Sequence, residues 1–147
     1  MKYVKTIFAG LMVCLLLVGC GASFDASSDT IKNFADTNSG AYSDVTSDFS
    51  DYDFVEGVYM AETNNVHIEL WDLTSTQDAA SWYNNNVEYL KADATSNAGS
   101  STSSGGSHTI TTPSNYYRVL FSNDKGIYVY GDKDAVDSAL TAMNITK

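Results

Sequence analysis

The chain has 147 residues, with 18 acidic side chains against 8 basic ones and a formal net charge of −10 at neutral pH. Such a surface repels nucleic acid and anionic lipid headgroups, which excludes DNA or RNA as a partner. The length suits one domain with a core of its own.

Met1 to Val18 has the layout of an export signal. Lys2 and Lys5 give a positive start, and Ile7 to Val18 is almost wholly apolar. The run is short for a membrane-spanning helix, and its flanks suit processing. It ends in Leu17-Val18-Gly19-Cys20, which resembles the bacterial lipobox, the signal for diacylglyceryl transfer to a cysteine and for cleavage just before it. The resemblance implies a signal peptide over residues 1–19, a lipidated Cys20 with a short tether over 20–28, and a single domain over 29–147. It implies a protein on the outer face of a bacterial cell membrane, held by lipid on Cys20. Two acyl chains hold stably where one holds marginally. Cleavage removes Cys14 and lipidation uses Cys20, so no cysteine pair is left for an internal disulfide.

Along the remaining chain, Ser27 or Ser28 is placed to cap a helix with Ile31, Phe34 and Ala35 on its apolar side, ended by Asn38-Ser39-Gly40. Tyr42 to Thr46 reads as a short strand. Ser47 to Asp53 reads as a solvated acidic loop, because Asp48, Asp51 and Asp53 lack the spacing of a calcium loop. Phe54 to Ala61 and Val66 to Leu73 read as a hairpin turned at Glu62–Asn65. Ser75 caps a predicted helix from Thr76 to Lys91, with Ala79, Tyr83, Val87 and Leu90 as its stripe and Trp82 widening it. Asp93 to Ser107 is rich in Ser and Gly and reads as a flexible loop. His108 to Thr112 reads as a strand stopped by Pro113. Tyr116 to Ser122 and Ile127 to Tyr130 read as a second hairpin. Asp132 or Asp134 caps a last helix with Val136, Leu140 and Met143 inward.

The order helix, strands, helix, strands, helix with short turns predicts an α+β fold: an antiparallel sheet with helices packed on one face. Val58–Ile68 aligns without gaps on Val119–Val129 as a weak pseudo-repeat of hairpin and helix. From the first helix to Met143 the chain also resembles small uncharacterised lipoproteins of Gram-positive gut bacteria. The shared pieces are Asp44-Val45-Thr46 with Phe49, the Asp78-Ala79 helix start, the Ser-rich loop, a Tyr116-Tyr117-x-Val119 strand and Ile127–Tyr130. That resemblance supports class and location and implies no activity.

No catalytic constellation is legible. His67 and His108 stand in separate strands and read as surface positions, and neither zinc-type spacing nor a G-x-S-x-G elbow occurs. Glu69 and Asp72 are three apart in a strand and point to opposite faces. No metal and no cofactor is expected. Alternation places His67, Glu69, Trp71, Tyr128 and Tyr130 on the sheet face away from the helices, and the repeat adds Tyr59, Arg118 and Leu120 to it. Tyr59, Trp71, Tyr128 and Tyr130 are thus candidate ligand-binding rings, since exposed aromatic patches often mark binding surfaces. The expected function is a non-catalytic binding module for envelope glycan, peptide or protein. The alternative is a small envelope hydrolase.

Overall fold

A computed structural model describes residues 22–145; the signal segment with Cys20 lies outside the described residues. The elements are α1 (Ser28–Thr37), β1 (Ala41–Asp44), a 3-10 turn (Thr46–Phe49), β2 (Val55–Glu62), β3 (Val66–Leu73), α2 (Thr76–Lys91), β4 (Ser96–Ser101), β5 (Gly105–Thr111), β6 (Tyr116–Ser122), β7 (Lys125–Gly131) and α3 (Lys133–Ala142). The seven strands form one sheet in the order β1-β2-β3-β7-β6-β5-β4, with antiparallel pairing at each of its junctions. The α+β class is as expected.

Local chemistry explains the helix starts. The Ser27 hydroxyl accepts from the Thr30 amide and Thr30 Oγ1 accepts from the Ser27 amide, a reciprocal capping box. Ser75 Oγ accepts from the Asp78 amide at 3.1 Å and stops the first turn of α2 from fraying. The two central hairpins turn tightly. Thr63 bonds the Val66 carbonyl around Asn64-Asn65, and Ser122 pairs with Lys125 around Asn123-Asp124.

The helices do not share one face, which corrects the expectation. α1 and α3 cover one face, where Ile31, Phe34, Ala35, Val136 and Leu140 pack on Ile68, Leu70, Leu120, Ile127 and Val129. α2 covers the other, where Ala79, Trp82, Tyr83, Val87 and Leu90 pack on Leu73, Ile110, Val119 and Phe121. The physical reason is that the middle strands are apolar at both parities. Val119, Leu120 and Phe121 are all buried, and a run that is apolar at successive positions needs cover on both sides. At Gly126 a Cβ would strike the indole of Trp82, so glycine there lets α2 lie close on β7. The pseudo-repeat survives as two hairpins each followed by a helix, but α2 and α3 go to opposite faces.

Two further expectations change. The Ser-rich stretch is not a loop but β4 and the start of β5. Ser96 to Ser101 pair along the edge of the sheet with all six residues exposed. Residues 22–28 are not a tether. Ala22, Phe24 and Ala26 alternate into the first core, and the Phe24 amide donates to Ser122 Oγ at 3.4 Å. Glycine at 105 permits this, because any Cβ there would collide with the Ala22 carbonyl.

Candidate functional site

Cross-strand pairing decides which predicted ring lies where, since opposed residues share a face. Val58 faces Trp71, Glu69 faces Tyr128, His67 faces Tyr130 and Tyr117 faces Tyr130, so these belong to the α2 face. Tyr59 faces Leu70, Arg118 faces Val129 and Leu120 faces Ile127, so these three belong to the opposite face. Tyr59 therefore leaves the aromatic set, and Arg118 and Leu120 with it. Arg118 is buried beneath α3, donating to Ser107 Oγ at 3.0 Å and lying 3.7 Å from Asp137.

Trp71 is brought to the expected face but is packed. Phe49 meets it edge-on at 4.7 Å and Trp82 of α2 tilts against it at 5.9 Å. Tyr117, Tyr128 and Tyr130 form a half-buried triangle with centroids 5.6 to 6.0 Å apart. Burial pushes the phenols of Tyr128 and Tyr130 up, with Glu69 near both and Glu62 near Tyr130 adding to the shift. Tyr89, on the last turns of α2, is 80% exposed, and it lines a cleft of about 520 Å³ with Tyr117, Pro113 and Asn115. Sequence reasoning missed Tyr89 and Tyr117. The tyrosine at 89 falls outside the apolar stripe of its own helix, which was the available signal.

His67 carries the polar end of this surface. It is buried, not surface-exposed as expected, and its ring stacks on Tyr130 at 4.8 Å. Nδ1 meets Glu62 and Nε2 meets Glu69 at 3.0 Å, while Trp71 Nε1 donates to the second oxygen of Glu69 at 2.8 Å. A cleft of about 210 Å³ opens here, lined by Glu62, His67, Asn115, Tyr130 and Asp132. Asn115 is common to both clefts and its amide donates to Tyr117 Oη at 3.4 Å. His108 is also buried and sits three strands away, beyond β7 and β6, its Nε2 3.4 Å from Asn97, so the histidines do not meet. Glu69 and Asp72 point apart as expected, Asp72 pairing with Lys125 at 2.8 Å. Among the described residues no cluster of three His, Cys, Asp or Glu side chains is arranged to hold a metal ion. Gly105 and Gly106 lie buried within β5, which is not the loop before a helix that cradles phosphate.

Burial works to lower the His67 pKa, but hydrogen bonds and charge from Glu69 and Glu62 outweigh it, and the net shift is upward. A folded-state pKa above the unfolded value gives stability that is complete below about pH 6.5 and is lost as pH rises through the folded value. Wild type is therefore expected to lose stability relative to His67→Gln as pH rises from about 6 to 8. Melting curves across that range test this, and a constant difference between the two proteins would show that the two carboxylates do not hold an imidazolium.

A third cleft, about 500 Å³, runs between α1 and α3 with Phe34, Asn38, Met143 and Asp25 among its residues. It gathers no group of titratable side chains. Among the described residues no helix is long and apolar enough to cross a membrane.

No protein-family model matches this sequence, and no curated protein does. One solved structure shares the architecture: a protein from Thermotoga maritima described as a GTP binding regulator, at a TM-score of 0.51 and 16% identity, over 80% of this chain and 84% of that one. At that identity the likeness is one of fold.

Proposed function

We propose that this chain is a lipid-anchored, extracytoplasmic binding module of the bacterial cell envelope, non-catalytic, taking a glycan of the envelope on the tyrosine surface beside His67. The lipobox-like Leu17–Cys20 supports the anchor. One observation carries the binding reading: Tyr89 and Tyr117 line one cleft, Tyr130 and Glu62 line the next, Asn115 belongs to both, and Tyr128 packs against Tyr117 and Tyr130. Ring faces offer flat apolar area to the C–H side of a sugar, and carboxylates and amides accept and donate to its hydroxyls.

The test measures binding of envelope polysaccharide fragments and, separately, of envelope peptides by calorimetry, using wild type and the double variant Tyr89→Ala, Tyr130→Ala. These two rings lie outside both apolar cores, but Tyr130→Ala removes the stack on His67, so binding is measured well below the melting temperature of the variant. Glycan affinity should fall at least tenfold, about 1.4 kcal/mol. Unchanged affinity would remove the tyrosine surface as the site, and saturable binding of peptide alone would replace the glycan reading.

A further inference from the structure

Resting on the anchor reading above, we infer that the domain stands on the bilayer by one corner of its sheet, formed by the β4–β5 turn and the β6–β7 turn, and presents the tyrosine and His67 surface outward. The first argument is reach. Ala22 is packed beside Gly105, and Phe24 is bonded to Ser122, so the free chain ends at that corner. Two residue steps separate Ala22 from Cys20, and they span at most about 7 Å. A lipid on Cys20 therefore holds Gly105 and its neighbours at the headgroups. The two turns form one corner, since the Asn123 amide donates to the Ser104 carbonyl at 2.9 Å.

The second argument is charge. The chain carries 18 acidic residues, yet the β4–β5 half of the corner, within Ala94 to Ser107, carries no charged side chain, and the β6–β7 half sets one exposed carboxylate, Asp124, beside Lys125. Ser101, Thr102, Ser103 and Ser104 are exposed there. Hydroxyls can bond to headgroups without the repulsion that an anionic leaflet exerts on carboxylates. The two turns themselves expose no large apolar side chain, so they rest on the headgroups; Phe54, 40% exposed, stands at the same end of the sheet, its carbonyl accepting from the Thr74 amide. The turns Thr63–Asn65 and Thr112–Asn115 lie at the other end of the strands, as the registers of β2 with β3 and of β5 with β6 require. Strands of seven residues place them about 20 Å further from the membrane.

The experiment uses the full chain made in a lipoprotein-processing bacterium and reconstituted into phosphatidylcholine vesicles that contain a headgroup-nitroxide lipid. Single cysteines Ser103→Cys, Asp124→Cys, Asn64→Cys and Ser114→Cys carry a fluorophore. Quenching at 103 and 124 should exceed that at 64 and 114 at least threefold. Inserting ten Gly/Ser residues between Gly21 and Ala22 should remove the difference. Equal or inverted quenching in the lipidated, uninserted protein would overturn the orientation and leave the anchor standing. Equal fatty-acid labelling of wild type and Cys20→Ala would instead overturn the anchor itself, and the orientation with it.

Discussion

Phe121→Ala is expected to lower the unfolding free energy by about 3–5 kcal/mol, the range for emptying a buried phenylalanine site. Against a typical total of 5–15 kcal/mol that is a large share. Phe121 is 1% exposed and its ring meets Tyr83 of α2 at 5.0 Å, among Val119, Ile110 and Leu90. Both partners are held, Tyr83 by the helix and Phe121 by the sheet centre, so neither can collapse into the space. Denaturant titration of wild type and variant measures the loss. A change under about 1 kcal/mol would be the size of an ordinary surface substitution and would mean that α2 does not seal the second face.

The other large effect is at the start of the described chain. Phe24→Ala should cost about 3 kcal/mol or more, because the ring is 8% exposed in the core that α1 and α3 share with the sheet. The neighbour Asp25 is exposed, and Asp25→Ala should stay within about 0.5 kcal/mol. The contrast between adjacent positions is the measurement. Two equally mild variants would return residues 22–26 to the status of a tether.

These two positions also show what was legible in the sequence. Helices with an apolar stripe and a hydroxyl cap were legible at Ser27, Ile31, Phe34 and Ala35, and again from Ser75 to Leu90, because burial leaves a 3.6-residue signature. The hairpins were legible from their polar turns. β4 was not, because Ser96 to Ser101 pair through backbone alone and bury no side chain, so their composition matches that of a loop. The faces of the sheet were only half legible. Alternation separated Ile68 from His67, but Tyr59 was placed through the repeat, and the real pairing of Tyr59 with Leu70 depends on a turn register that composition does not specify. The alternation of Ala22, Phe24 and Ala26 was present but too short to stand out. Trp71 was correctly sided, yet its usefulness for binding turned on Phe49 and Trp82, which reach it from distant segments.

The lock between Phe24 and Ser122 joins residues 98 positions apart. The seam between β3 and β7 likewise waits for Lys125–Gly131. Ala22 therefore has no seat until nearly all of the chain is available, and contacts of such separation form late and slowly. Closing the sheet and seating Phe24 are thus one event: a chain that stops short of Ser122 and β7 has its capped first helix but no surface on which to pack it.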